Sequence, residues 1–180
     1  PIRFYSKRTQ TLFSPSYLPC SSVVKKINQL RPDIVHLQWI QGGMIKINDI
    51  AKIKAPIVWG LNDMWAFTGG CHYDEHCGRY TDHCGQCPVL GSHKRYDLSY
   101  KILKKKTKSY AKINNLTVVG HSNWLTDCAK KSSLFKDRSV INLPTPIDTE
   151  RFKLFDKKES RNLFNLPQNK KLILFGALGP

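Results

Sequence analysis

The sequence predicts an α/β fold, with a Rossmann-like parallel sheet and flanking helices. Short β-branched runs alternate with stretches of helical spacing from residue 32 onward, and Pro or Gly punctuates the boundaries. This alternation is typical of a parallel sheet whose crossover connections are helices. A hydrophobic content of 41% over 180 residues suffices to bury the core of one ordinary domain.

Strands are predicted at 33–37, 57–61, 116–119, 139–143 and 172–175. Helical spacing covers 44–54, 97–113, a segment starting at residue 123, and 159–164, and Ser122 is placed to cap the helix that begins at Asn123. In parallel sheets, ligands bind outside the carboxyl ends of the strands. Those ends are expected at residues 38–39, 62–63, 121–122 and 144–145.

The chain is predicted to divide at a proline-containing crossing. Residues 1–143 form a first domain, 144–156 an interdomain crossing, and 157–180 the start of a second domain. Neither end has the composition of a natural terminus, so we expect a piece of a longer protein.

No apolar run approaches the roughly 20 residues of a membrane span, and no signal-peptide layout opens the sequence. A cytoplasmic location, with peripheral contact at the inner face of the membrane, is the resulting expectation.

A formal charge of +16 indicates an anionic partner, which is a nucleic acid, an anionic membrane surface or a phosphorylated substrate. A generally lysine-rich composition is the alternative explanation of the charge.

Five lysines lie on the predicted helix over 97–113. They form either a basic face at a membrane surface or the solvated outer face of a core-packed helix, and the sequence leaves both open. The five are Lys101, Lys104, Lys105, Lys106 and Lys108.

Four of the six cysteines lie in a long segment, 62–97, that has no clear periodicity. The intervals between them are five, six and two residues, and the C-x-x-C pair at the end supplies two metal ligands from one turn. The four are Cys71, Cys77, Cys84 and Cys87. Structural zinc, disulfides and free thiols all remain open, and His72, His76 or His83 could replace a cysteine as ligand.

Five segments carry a resemblance to a known family. They are DIVHLQWIQGG at 33–43, PIVWGLNDMWAFTGGCHY at 56–73, CGQCP at 84–88, VVGHSNWL at 118–125 and INLPTPIDTERF at 141–152. Together they resemble the large retaining glycosyltransferase family numbered four in sequence classifications, and within it the bacterial polysaccharide branch. Members of that family have two Rossmann-like domains that face a cleft, the GT-B arrangement.

The resemblance implies sugar transfer from a nucleotide-sugar donor to a saccharide or lipid-linked acceptor, with retention of anomeric configuration. By this resemblance, residues 1–143 are the acceptor-side domain without its first strand. The cysteine-rich loop is an insertion in that domain. The resemblance makes 157–180 the start of a truncated nucleotide-sugar domain. A chain that lacks most of the donor site is expected to be inactive alone.

The resemblance also suggests site residues. Many relatives carry a His at the end of the second strand, where this sequence has Asn62 followed by Asp63 as the catalytic candidates. Asn bonds a sugar hydroxyl but does not exchange a proton near neutral pH. Trp65 is favoured for sugar contact, whereas Trp124 and His36 are expected in the core. The substrate-binding candidates are Trp39, Gly42, Gly43, Trp65, Thr68, Gly69, Gly70, His121 and Ser122.

Two rival functions remain open. The charge and the cysteines are also compatible with a zinc-containing nucleic-acid-binding module. Nucleic acid is the less favoured partner, because the cysteines interrupt a strand–helix series and no basic stripe interleaves with aromatic residues. The other rival is a non-catalytic remnant of a glycosyltransferase.

Overall fold

The computed structural model describes residues 2, 5–17 and 22–176 and confirms the α/β fold. Its sheet has four parallel strands in the order β1-β2-β3-β4. The strands are β1 (Val35–Gln38), β2 (Ile57–Leu61), β3 (Leu116–Gly120) and β4 (Ser139–Asn142). The helices are α1 (Ser22–Leu30), α2 (Ile47–Ile50), α3 (Leu98–Tyr110), α4 (Asn123–Lys131) and α5 (Lys157–Leu163).

The chain separates into two compact units, Pro1–Pro144 and Thr145–Pro180. The first contains the sheet and α1 to α4. The second contains α5, whose N-terminus is capped by the Asp156 carboxylate accepting from the Glu159 N–H at 2.8 Å. No residue of α5 is buried.

Most predicted elements form close to their expected positions. The strand at 57–61 is confirmed, and so is the cap at Ser122, whose hydroxyl oxygen accepts from the Leu125 N–H at 3.2 Å. The predicted helix over 44–54 is wrong in length, because only the four residues of α2 are helical and no side chain caps its start. Helix α1 was not predicted. It buries only Val24 and so gives little apolar signal.

The predicted strand at 172–175 is wrong. These residues have no strand hydrogen bonding and are exposed, with Phe175 at 86%. A strand exists only when a neighbouring strand accepts and donates its backbone hydrogen bonds. None of the residues described pairs with this segment.

The core of the first unit is built around Trp59 of β2. Its ring lies 5.6 Å from Tyr110, 6.3 Å from Phe135 and 6.4 Å from Trp65 between ring centroids. These separations are typical of edge-to-face and tilted aromatic pairs, which add to the stabilisation from area burial. The cluster joins β2 to α3 and to the segment that follows β2.

The two faces of the sheet differ in burial. Leu37, Trp59 and Val118 are in register on one face and are buried. On the other face His36 is exposed and its neighbour Val58 is half-buried, so the prediction that His36 lies in the core is wrong. Strand β1 alternates buried and exposed residues because only one of its faces packs against the core.

The carboxyl end of β3 lies directly against the first turn of α4. A Cβ atom at Gly120 would be 2.2 Å from Thr126 Oγ1 and 2.8 Å from Thr126 Cα. Only a glycine therefore lets the helix start this close to the sheet.

Among the helices described, none combines the length and the apolar character needed to cross a membrane.

Gly120→Ala is expected to lower the free energy of unfolding of the first unit by about 1–3 kcal/mol, because the added methyl group overpacks the contact with Thr126. Gly176→Ala, whose methyl group meets no atom within 4 Å, is the control. Urea denaturation followed by tryptophan fluorescence measures this, since all four tryptophans lie in the first unit. Equal unfolding midpoints for the two variants would contradict the packing argument.

Candidate functional site

Three loops meet at the carboxyl ends of the strands, and we call residues 38–43, 62–73 and 120–124 the rim. The rings of Trp39 and His72 lie 6.1 Å apart, which joins the first loop to the second. Tyr73, next to the rim, stacks on Trp124 at 6.3 Å, which joins the second loop to the third. Because the four strands are parallel and adjacent, the rim is one continuous edge of the sheet.

Two tryptophans of the rim are half-exposed. Trp39 is 49% exposed and has a φ of 40°, a left-handed conformation that is uncommon for a bulky residue. Trp124 is 54% exposed, so its predicted place in the core is wrong. The buried face of α4 consists of Leu125, Thr126 and Ala129, which turns Trp124 outward.

Trp65, suggested by the sequence as a sugar contact, is fully buried. Its Nε1 donates to the Ser14 carbonyl oxygen at 2.7 Å, and its ring packs against Trp59. The ring is therefore part of the core and is not available at the surface.

The glycine candidates fall into two groups. Gly42 and Gly43 have positive φ values of 73° and 96° in a turn after β1 that is open to solvent. Gly69 and Gly70 are buried together with Thr68. A Cβ atom at Gly69 would be 2.5 Å from the carbonyl oxygen of Ser99, so this pair serves close packing against α3.

The catalytic candidates Asn62 and Asp63 have different environments. Asn62 is exposed at the end of β2. Asp63 is buried, and its carboxylate accepts from the Trp65 N–H at 2.8 Å and from Gln41 Nε2 at 3.3 Å. It also contacts His72 Nδ1 at 2.6 Å. Asp63 therefore holds the loop in place and leaves Asn62 as the accessible member of the pair.

His72 continues this network to Ser14, whose hydroxyl lies 2.9 Å from Nε2. A serine–histidine–carboxylate chain is the pattern of an activated nucleophile. Here His72 is buried, and the crevice beside Asp63 measures about 10 Å³, which is too small to admit a substrate. Both ring nitrogens of His72 are engaged, so it is not available to replace a cysteine as metal ligand.

No local sequence pattern indicates this network, because 58 residues separate Ser14 from His72.

A polar patch lies on the open face of the sheet near the rim. The Nε2 atoms of His121 and His36 lie 3.0 and 3.2 Å from the position that a Cβ of Gly60 would take. His121 Nδ1 contacts the Leu143 carbonyl oxygen at 3.1 Å, and Gln38 contacts His36 at 3.4 Å. Two imidazoles therefore border one point of the rim.

None of the four cysteines of the 62–97 segment is paired in a disulfide; three of them are buried and Cys77 is half-buried. Burial raises the pKa of Cys84 to about 12, against a hydrogen bond from the Gly69 N–H that lowers it. Burial likewise raises the pKa of Cys71, Cys77 and Cys87. In the described part of the chain, no three His, Cys, Asp or Glu side chains are arranged around a common metal position.

Lys106 does not belong to the exposed basic face predicted for α3. It is fully buried, and its ammonium donates to the carbonyl oxygens of Trp65 and, at 3.1 Å, of Thr68. Its Nζ lies 3.7 Å from the centroid of the Trp65 ring. Burial lowers the pKa of Lys106 to about 7, while the charges of Cys71, Cys84 and Asp63 act in the opposite direction. Lys101, Lys104 and Lys108 are exposed as predicted.

A cavity of the described residues lies away from the rim. It has a volume of about 710 Å³ and lies beside the N-terminus of α3, where its lining includes Tyr5, Lys7, Tyr96 and Lys101. We favour the rim as the functional site because it combines half-exposed tryptophans with two imidazoles at the carboxyl ends of parallel strands.

Comparison of the chain with protein-family models, with curated proteins and with solved structures gives no significant match. The geometry of the rim and the resemblance of the sequence segments are the observations that bear on function.

Asp63→Asn is expected to lower the free energy of unfolding by about 1–3 kcal/mol, because the amide cannot accept from both Trp65 and His72 and leaves a buried group unpaired. Asp82→Asn is the matched control, since Asp82 contacts His83 at 2.5 Å in a pair exposed to solvent. An exposed pair contributes about 0–1 kcal/mol. Urea denaturation compares the two, and equal effects would show that the Asp63 network is not a structural constraint.

Proposed function

We propose that the chain is the acceptor-side part of a retaining glycosyltransferase of cell-surface polysaccharide biosynthesis. The observation that carries the proposal is the edge of the sheet at the carboxyl ends of its parallel strands, which holds half-exposed Trp39 and Trp124 and, around Gly60, the imidazoles of His36 and His121. The sheet is the Rossmann-like half of a GT-B fold in this proposal, with the 62–97 segment as its cysteine-rich insertion.

The exposed rings support a saccharide ligand. A tryptophan face offers a large apolar surface that covers the C–H groups of a sugar ring, while neighbouring polar groups bond its hydroxyls. Trp39 presents its ring from a left-handed backbone conformation. Such strain persists only where the surroundings fix it, and it concentrates at functional sites.

The charge supports anionic partners. The net charge is +16, and among the described residues only one lysine or arginine, Lys52, has a carboxylate within salt-bridge distance, that of Asp49. Nucleotide-sugars and lipid phosphates are both attracted by such a surface.

Within the proposed mechanism, Asn62 bonds a hydroxyl of the sugar, and buried Asp63 positions the loop that carries it. His121 of the rim and His36 of β1 offer ring nitrogens that bond sugar hydroxyls. The chain by itself is expected to bind acceptor without transferring sugar, because the donor would bind to the domain that starts at 157–180.

Trp39→Ala and Trp124→Ala are each expected to weaken saccharide binding at least about tenfold, which corresponds to about 1.4 kcal/mol. Labelled chain applied to a glycan array selects a saccharide, and titration calorimetry measures its affinity for each variant. Phe152→Ala is the control, because Phe152 is as exposed as the two tryptophans but lies in the second unit. Loss of binding in Tyr96→Ala with normal binding in Trp39→Ala would move the site to the 710 Å³ cavity.

The activity has its own test. A protein that joins this chain to its complete nucleotide-sugar domain is expected to transfer or hydrolyse at least one member of a panel of nucleotide-sugars. Saccharide binding without any turnover would favour the non-catalytic remnant.

The exposed lysines of α3 are proposed to contact an anionic membrane, where a lipid-linked acceptor is anchored. Replacing Lys101, Lys104 and Lys108 by Gln is expected to weaken binding to phosphatidylglycerol vesicles on the order of 100-fold, at about 1 kcal/mol per lysine. A vesicle sedimentation assay measures this, with neutral phosphatidylcholine vesicles as the control. Salt-dependent binding to random DNA at higher affinity than to vesicles would favour the nucleic-acid-binding module instead.

A further inference from the structure

The cavity beside the N-terminus of α3 has the size and the lining of a small-molecule site. Its volume of about 710 Å³ falls within the range of about 300–1,000 Å³ that is usual for such sites. Its walls come from two segments of the first unit, residues 5–7 and part of 90–101. The lining combines apolar, aromatic and basic side chains, among them Tyr5, Lys7, Leu90, Lys94, Tyr96 and Lys101.

Contacts between the two wall segments fix the shape of the cavity. The Leu98 N–H donates to the hydroxyl of Tyr5 at 3.1 Å. A Cβ atom at Gly91 would be 2.3 Å from the carbonyl oxygen of Lys7, so only a glycine lets the segments approach this closely. A cavity that is already formed costs a ligand less ordering of the protein on binding.

The inner lining is apolar and aromatic. Leu90 and Leu98 are buried, and Tyr5 is half-buried with its hydroxyl held by the Leu98 N–H. Tyr96 is exposed, and its ring contacts the Tyr100 ring edge-on at 4.8 Å between centroids. Aromatic rings held in place offer flat contact area to a planar group of a ligand.

The charge of the lining is positive and has no close counter-ion. Lys7, Lys94 and Lys101 are exposed, and no carboxylate of the described residues lies within salt-bridge distance of them. Asp97, the acidic residue of the lining, is buried and its carboxylate accepts from three neighbouring donors at 2.6–3.2 Å. The three ammonium groups are therefore open to an anionic ligand.

The lysines, and not the end of α3, are the groups that would hold the anion. The Leu98 N–H is bonded to Tyr5, and the Tyr100 N–H is bonded to the Asp97 carboxylate. The Lys101 N–H donates to the Asp97 carbonyl oxygen. Lysine binds phosphate as a point charge with three donors, so three lysines can share one phosphate group.

We propose that this cavity binds a small phosphate monoester that carries a planar ring, of the class of the nucleoside monophosphates. The ring lies against the tyrosines and leucines, and the phosphate contacts the exposed lysines. The aromatic lining favours a ring over a flexible chain, because a ring stacks on an aromatic side chain and loses little conformational freedom on binding. The site does not depend on the proposed glycosyltransferase function, since binding of this ligand requires neither a saccharide nor turnover.

Titration calorimetry of the chain at low ionic strength with the four common nucleoside monophosphates tests the ligand class. At least one is expected to bind at least tenfold more tightly than its nucleoside and than inorganic phosphate, because the ring and the phosphate each contribute. Absence of binding by all four would overturn the proposal. A nucleoside as tight as its monophosphate would overturn the anion site, and dodecyl phosphate tighter than all four would overturn the planar ring.

Amide chemical-shift changes during the same titration locate the ligand in the unaltered chain. They are expected to concentrate at residues 5–7 and 90–101. Changes concentrated in the rim would place the ligand outside the cavity and overturn the proposal.

Lys7→Gln/Lys94→Gln is expected to weaken binding of the selected monophosphate at least tenfold and to leave binding of its nucleoside unchanged. Lys104→Gln/Lys108→Gln, which removes two exposed lysines outside this lining, is the matched control. Equal affinities in the two double variants would remove the lysines from the site.

Tyr96→Ala is expected to weaken binding at least about fivefold through loss of the stacked ring, whereas Tyr96→Phe is expected to retain it. Tyr73→Ala, at an exposed tyrosine outside the lining, is the control. Equal affinities in Tyr96→Ala and Tyr73→Ala, or equal losses in Tyr96→Ala and Tyr96→Phe, would overturn the role of the ring.

Discussion

The buried ammonium of Lys106 is the constraint on which the structure around the rim depends. A lysine in a protein interior is costly unless its charge and its donors are satisfied. Two of its donors bind the carbonyl oxygens of Trp65 and Thr68, and its charge lies over the Trp65 ring. These contacts attach the start of the 62–97 segment to α3.

The position of this segment decides what the rim presents to solvent. Because Trp65 and residues 68–70 are held inward, Asp63 and His72 are buried and bond one another, while Asn62 remains outside. Trp39 and Trp124 then become the exposed rings. The surface that remains carries two exposed aromatic rings, and the crevice beside Asp63 is too small to enclose a ligand.

The cysteines of the 62–97 segment contact the same stretch of backbone that Lys106 binds. Their sulfur atoms accept N–H groups from Gly69, Arg79 and Leu90, and Cys71 and Cys84 adjoin the residues that Lys106 binds.

The sequence by itself determined the parallel α/β fold, because the alternation of strand and helix periodicities is visible within short stretches of sequence. It also located the strand at 57–61 and the cap at Ser122 for the same reason. Whether a given side chain faces the core was decided only by tertiary structure. The local patterns favoured Trp65 at the surface and Trp124 in the core, yet Trp65 packs on Trp59 and Trp124 is turned outward by the buried face of α4. Lys106 and the pairing of Ser14 with His72 depend on contacts between distant segments, which no local periodicity encodes.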